Sequence, residues 1–268
     1  LMRSSAASDV YKRQEMKFGM IIDLNLCSSC GACALACKAE NNTRTRGEGQ
    51  SFNWADFLQE TKGTFPNSTQ VAVPVMCNHC ENPQCVKVCP TGAMFISPEG
   101  VVLHNDEACI GCRLCQNACP YSSAELGPES LDGKSYSVIS FNPKGVDPRG
   151  DTATRPVLID GVTGSPLELA KKAGALPAYA NLFKAGDTAA QRKEGVVEKC
   201  NLCYHRTSNG LNPACVDTCP AGARIFGDLD DPKSAISAKM KASKVWRLQE
   251  DKGTNPKVFY VGQFSPRE

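Results

Sequence analysis

The chain has 268 residues, a formal charge of +2 and only 7 % aromatic residues. That length suits one large domain or two to three small ones, while the scarcity of aromatics argues against a large aromatic core. No run approaches 18 apolar residues, so the sequence carries no membrane span of its own, and no basic patch with interleaved aromatics points to nucleic acid.

Residues 1–15 (LMRSSAASDVYKRQE) match nothing that follows. They read as a non-native or disordered leader with Met16 as the start, and they show neither a secretory signal nor a twin-arginine pattern. Lys17–Leu24 is a β run that enters a first Cys run, Cys27, Cys30, Cys33 and Cys37, spaced C-x2-C-x2-C-x3-C. Gly31 follows its second Cys, and Ala32–Glu40 has helical composition. Residues 41–70 are polar and read as a loop carrying Trp54 and Phe57. Val71–Met76 is a second β run, entering Cys77, Cys80, Cys85 and Cys89 (C-x2-C-x4-C-x3-C-P), with a short helix from Asn82-Pro83 to Cys89. Ala93–Ile96, a Pro98-Glu99-Gly100 turn and Val101–His104 predict a β-hairpin. The third run, Cys109, Cys112, Cys115 and Cys119, is C-x2-C-x2-C-x3-C-P. After it come a polar stretch at Ser122–Ser135, a β run at Tyr136–Phe141 and an insertion at 142–195. Within the insertion, Ser165-Pro166 predicts the start of a helix over Leu167–Lys172. The fourth run is Cys200, Cys203, Cys215 and Cys219, with eleven residues between its second and third Cys. Cys219-Pro220-Ala221-Gly222-Ala223-Arg224-Ile225-Phe226 echoes Cys89-Pro90-Thr91-Gly92-Ala93-Met94-Phe95, an internal repeat that predicts two related modules. Asp231-Pro232 predicts the cap of a helix to about Ser243, and Val258–Val261 is a late β run.

Four runs of four account for all 16 Cys. C-x2-C-x2-C-x3-C-P is the run that holds an iron–sulfur cubane in bacterial ferredoxins, where the fourth Cys ligates the other cluster. Two thiolates separated by two residues reach adjacent iron corners while the backbone between them wraps the cluster. Two other uses of Cys compete with this one. Disulfide scaffolds carry roughly 8–10 % Cys, against about 6 % here, and C-x2-C loops would be strained as bridges. Structural zinc takes two C-x2-C knuckles per ion, whereas three close thiolates plus a distant one suit a cubane better. Counting roughly −2 for each oxidised cubane with its thiolates, four clusters bring the holo protein to about −6. Lys38 stands where the other runs have Pro, and is either a cation near a cluster or a solvated helix residue. His79 and His205 lie in or beside Cys loops, either bonding toward a cluster or bonding locally. Metal ligation is expected to carry much of the folding free energy, leaving the apo chain poorly folded.

The stretches GMIIDLNLCSSCGACALACKAEN, CNHCENPQCVKVCPTGAM, CIGCRLCQNACPY, VISFN and KCNLCYHRTSNGLNPACVDTCPAGARIFGDLDDP resemble the four-cluster electron-transfer subunit of respiratory molybdopterin oxidoreductases of the dimethyl-sulfoxide-reductase family. Arsenate, tetrathionate and polysulfide or thiosulfate reductase subunits look most alike. The resemblance implies crossed ligation. Cys27, Cys30 and Cys33 take Cys219; Cys200, Cys203 and Cys215 take Cys37; Cys77, Cys80 and Cys85 take Cys119; and Cys109, Cys112 and Cys115 take Cys89. Where nitrate-reductase-like subunits have Trp, this chain has Cys112, so the resemblance implies four 4Fe-4S clusters. It ends without the membrane helix of formate-dehydrogenase-like subunits. One departure is the insertion of Ser122–Ser135 between CPY and VISFN.

The predicted fold class is α+β: two tandem bacterial-ferredoxin-like dicluster modules with irregular loops and an inserted segment. An outer module spans 16–70 and 196–245, an inner module 71–141, a partner-facing insertion 142–195, and a C-terminal tail with a short strand 246–268. The predicted function is non-catalytic: single electrons pass between a polytopic quinol-oxidising membrane anchor and a molybdopterin catalytic subunit of an anaerobic respiratory reductase. The complex is expected at the membrane, on the periplasmic face after export with its catalytic partner, or alternatively on the cytoplasmic face. The alternatives are an iron–sulfur subunit of a formate dehydrogenase or hydrogenase-type complex and, from another class, a zinc-stabilised interaction scaffold.

Overall fold

The computed structural model describes residues 16–41, 43, 54–121, 137–142, 144, 164, 172 and 193–262. The leader at 1–15, the stretch 122–135, most of the insertion, and the helix predicted over Leu167–Lys172 (its last residue apart) lie outside the described residues.

Strand β1 (Phe18–Asp23) is buried along its whole length, as its apolar run requires of a strand covered on both faces. It pairs antiparallel with Arg224–Asp228 and parallel with Val258–Val261, which in turn pairs with Val245–Trp246. The other elements, in chain order, are α1 (Ala32–Asn41), β2 (Ala55–Thr64), β3 (Asn67–Met76), α2 (Gln84–Lys87), β4 (Met94–Ile96), β5 (Val102–His104) and α3 (Leu114–Ala118). They continue with β6 (Ile139–Phe141), β7 (Val197–Lys199), α4 (Tyr204–Thr207), α5 (Ala214–Asp217), β8 (Arg224–Asp228), α6 (Ala235–Ala242), β9 (Val245–Trp246) and β10 (Val258–Val261). The central sheet has the order β8-β1-β10-β9, and β2-β3, β4-β5 and β6-β7 form separate two-stranded sheets.

The alternation of a strand sorts β1 into two cores. Ile21 joins Ile236, Phe259 and Val261 beneath α6. Met20 and Ile22 face the other way, into a core shared with Tyr260, Val258, Trp54 and five buried Cys: Cys33, Cys37, Cys77, Cys200 and Cys215. An ion pair from Lys239 Nζ to Asp23 Oδ2 (2.6 Å) fastens α6 across the sheet. The residue that caps α6 is Ser234 rather than the predicted Asp231. Its Oγ accepts the Ser237 amide at 3.2 Å, whereas Asp231 accepts from Lys233 N and forms the preceding turn. Ser234→Ala is expected to lower the melting point of the holo protein, with a cost of about 1 kcal/mol read by calorimetry.

Two predictions need correction. Residues 55–64, predicted as loop, are strand β2, paired with β3 over ten residues from Ala55↔Met76 to Thr64↔Asn67. Its polar sequence hides this: the base of the hairpin is buried, through Trp54, Ala55, Leu58, Val75 and Met76, while Phe65 at the tip is 92 % exposed. The boundary set at residue 70 therefore falls inside a paired strand. The short strand predicted at Val258–Val261 forms as β10, but it sits between β1 and β9 inside the central sheet rather than apart from it. The hairpin β4-β5 forms as predicted, and β6-β7 joins the two ends of the insertion, with Asn142 N donating to Val196 O at 2.9 Å.

Candidate metal centres

Each Cys run begins with the same turn. The residue just before the second Cys has a left-handed backbone in all four: Ser29 (φ 54), His79 (φ 42), Gly111 (φ 70) and Leu202 (φ 56). For a branched residue such as Leu202 this conformation is strained, and strain of this kind persists where the surroundings over-determine it. Its effect is to turn amides inward as an anion-binding nest. Gly111 N donates to Cys109 Sγ and Leu202 N to Cys200 Sγ, each at 3.4 Å. At the far ends of two runs, Met94 N donates to Cys89 Sγ (3.4 Å) and Ala223 N to Cys219 Sγ (3.3 Å). At Gly111 a Cβ would collide with the Gly195 carbonyl oxygen. Gly111→Ala is expected to cost the protein about a quarter of its iron, counted per chain.

The chain crossings bring together Cys that are far apart in sequence. Cys27, Cys30, Cys33 and Cys219 line one cavity with Ile22, Phe57 and Arg224. Cys77, Cys80, Cys85 and Cys119 line another with Tyr121, Lys199 and Thr254. The Asn41 side-chain amide reaches Cys37 Sγ and Cys203 Sγ, both at 3.6 Å, and Cys37 lies in the field of Cys215 and Cys203. Cys200 feels Cys37 and Cys215. Cys115 feels Cys109 and Cys89 as well as Cys85 of the neighbouring group. Cys112 is exposed at the mouth of the third loop.

Electrostatics sets the character of these groups. Burial pushes the Cys80 thiol up to about 12 with Cys77 adding to the effect, Cys85 up to about 11, and Cys115 up to about 12 with Cys85 and Cys109 adding. Burial likewise carries Cys215 up to about 11 and pushes Cys37, Cys119, Cys200 and Cys203 upward. Cys30 is drawn down by the Ala32 amide and Ser28. At Cys89, burial opposes the change, but the amides of Met94, Thr91 and Ala93 together with the Thr91 side chain pull the thiol down. Buried thiolates crowded in fours require a cationic partner. Among the described residues no three His, Cys, Asp or Glu converge tightly enough for a single metal ion, yet whole quartets face common cavities. The donor set and its spacing fit a sulfur cage with several irons.

The remaining candidates sort differently. His205 Nε2 bonds Glu40 Oε1 at 2.7 Å, a local partnership. His79 is 1 % exposed inside the second loop, where burial and then Lys199 and Lys257 hold its pKa well below the usual histidine value. Lys38 is half-buried; desolvation lowers its pKa, opposed by Asp56, Cys37 and Glu198. Two residues near the Cys groups were not singled out from sequence. Lys199 is 2 % exposed, and its Nζ donates to Val102 O and to Cys200 O (2.8 Å for the latter). Arg224 is 4 % exposed. The repeat held a signal for Arg224, since it occupies the place of Met94 in the echoed segment.

Crossed Cys runs on ferredoxin-like loops define an iron–sulfur protein of the dicluster type. Residues 24–42 match a 4Fe-4S binding domain, and residues 69–131 and 179–229 match a 4Fe-4S dicluster domain. The chain is 43 % identical to the arsenate respiratory reductase iron-sulfur subunit ArrB of Shewanella sp. strain ANA-3, over 93 % of this chain and 97 % of that one. It is 29 % identical to a subunit of the tetrathionate reductase of Salmonella typhimurium (92 % and 72 %) and 30 % identical to the menaquinone reductase iron-sulfur cluster-binding subunit of Nitratidesulfovibrio vulgaris (94 % and 91 %). The chain belongs to the iron–sulfur subunits of molybdopterin oxidoreductases, the electron-transfer components of anaerobic respiratory reductases. Among the described residues no helix is long and apolar enough to cross a membrane.

Proposed function

We propose that the chain holds four 4Fe-4S clusters, ligated by Cys27, Cys30, Cys33 and Cys219; by Cys37, Cys200, Cys203 and Cys215; by Cys77, Cys80, Cys85 and Cys119; and by Cys89, Cys109, Cys112 and Cys115. The observation that carries this reading is the meeting of sequence-distant Cys around shared cavities, Cys219 with Cys27 and Cys119 with Cys77. When bound, such clusters supply one-electron storage at potentials set by burial and hydrogen bonding.

The quartets take a linear order from their shared neighbours. Arg224 lies in the field of Cys33 of the first and Cys215 of the second. Cys200 of the second lies in the field of Cys77 of the third, and Cys115 of the fourth in that of Cys85 of the third. The chain's own part is to space the quartets, exclude water between them and supply amide donors to sulfur. The two ends of the order carry exposed apolar residues, Leu26 and Leu35 near the first quartet and Ile110 and Leu114 at the fourth. These ends are the docking faces of the two partners: a molybdopterin catalytic subunit and a quinol-oxidising membrane anchor. The chain is itself non-catalytic and works at the membrane, on the periplasmic face. The outer and inner modules divide at the tip of the β2-β3 hairpin, with β9 and β10 in the outer one.

The 43 % identity to an arsenate respiratory reductase subunit supports arsenate as the terminal acceptor of the partner. The test is anaerobic purification of the tagged chain from its native host. About 16 irons per chain, bleaching by dithionite, and a co-purifying molybdenum protein that reduces arsenate with a quinol donor support the proposal. Colourless protein with stoichiometric zinc, or a chain that purifies without a molybdenum partner, overturns it.

A further inference from the structure

Arg224 opens β8, opposite Ile22 in the central sheet, and its guanidinium is sealed inside the protein at 4 % exposure. Nη1 lies 3.4 Å from Met76 Sδ and 3.7 Å from Met20 Sδ, both thioethers being weak acceptors. Nη2 has no partner. Among the described residues no carboxylate lies within ion-pair distance of it. A buried guanidinium without a counter-charge is among the least favourable placements in a protein, and guanidinium does not escape by losing its proton. Arg224 lines the cavity of Cys27, Cys30, Cys33 and Cys219, and the groups that favour its charge are first the sulfurs of Cys215 and Cys33, which belong to two different quartets, and then Tyr260. In the repeat the equivalent residue is Met94, equally buried at 1 % and without charge.

We propose that Arg224 is a fixed positive charge shared by the first and second quartets, matched by the negative sulfur cages on either side, and that it raises the electron affinity of both sites above what an uncharged residue at this position, such as Met94 in the repeat, would give. This rests on the reading of the quartets as cluster sites. Taking up one electron adds one negative charge to a quartet, and a cation held beside it favours that step. At an effective dielectric of about 20, one charge centred about 12 Å away changes a one-electron equilibrium by about tenfold, which corresponds to about 59 mV.

The test is a potentiometric titration followed by electron paramagnetic resonance on the intact complex, comparing the native chain with Arg224→Met and Arg224→Lys. In Arg224→Met, iron content is expected to hold while two of the four midpoints each fall by about tenfold in electron affinity. Arg224→Lys, which keeps the charge, is expected to restore most of that loss. If Arg224→Met does not load four clusters, Arg224→Gln, which keeps an amide donor, takes its place. Four midpoints that shift together or not at all overturn the proposal, as does a Lys variant that behaves like the neutral one. A native protein without four clusters instead overturns the cluster reading on which it rests.

Discussion

Cys219→Ala is expected to alter the same paramagnetic signal as Cys27→Ala, although the two residues lie at opposite ends of the chain. Each replacement removes one of four thiolates facing one cavity, so each should cost up to about four of about 16 irons or leave a three-iron remnant with a changed spectrum. The discriminating variant is Cys37→Ala. Cys37 completes the first run in sequence, but its side chain meets Cys203 through Asn41 and sits in the field of Cys215. Its loss should therefore perturb a different signal, the one also lost in Cys203→Ala. If Cys37→Ala and Cys27→Ala affected one common cluster, ligation would follow the runs and the crossed arrangement would be wrong.

Removing iron is expected to collapse most of the structure. Helices α2, α3, α4 and α5 have four or five residues each, far short of the roughly 12–15 that an isolated helix needs to be even marginal in water. The strands of β4-β5 and β6-β7 have three residues each, and a lone two-stranded pair has little stability of its own. These elements are pinned by the Cys at their ends. A protein's net stability is only about 5–15 kcal/mol, comparable to what one structural metal site contributes, so losing a single cluster is enough to consume it. Chelation under anaerobic conditions should abolish amide protection throughout the Cys loops. The last protection to go should be in β8-β1-β10, where Ile21, Ile236, Phe259 and Val261 form a core without Cys. Recovery should depend on pH. Thiols held at about 11 and 12 at Cys85, Cys215, Cys80 and Cys115 stay protonated near neutrality and must release those protons to bind iron. Reconstitution is thus expected to tighten as pH rises from 6 to 9 and to reverse on acidification. For any folded apo fraction the sign is opposite. Its raised thiol values add stability that is fully present below the ordinary thiol value of about 9 and lost as pH climbs through 11 to 12.

The Cys groups were marked in the sequence by their spacing, and the meeting of Cys219 with Cys27 and of Cys119 with Cys77 agrees with the crossed pairing that the resemblance implied. The β4-β5 hairpin, the β run before each of the first two Cys loops and helix α1 were equally readable, since turn residues and apolar runs mark them locally. What escaped has a physical reason in each case. Strand β2 is polar over its second half, so it carries no sustained hydrophobic period, and its pairing with β3 makes it a strand. Strand β10 was legible as a β run, but not its place in the sheet, because nothing local reveals a parallel partner more than two hundred residues away. Lys199 and Arg224 were not singled out, since lysine and arginine are seldom fully buried without a partner. Only the substitution of Arg224 for Met94 in the internal repeat marked one of them. Ser234 was passed over for Asp231 because both are good caps, and the choice depends on which side chain the first helical turn meets.

The central claim is that quartets assembled from distant parts of the chain hold a line of iron–sulfur cages. Anomalous diffraction at the iron edge from anaerobically grown crystals tests it most directly. The prediction is four compact iron peaks in sequence, the first enclosed by Cys27, Cys30, Cys33 and Cys219 and the third by Cys77, Cys80, Cys85 and Cys119. Fewer peaks, a zinc edge in place of iron, or a peak enclosed by Cys27, Cys30, Cys33 and Cys37 would contradict it.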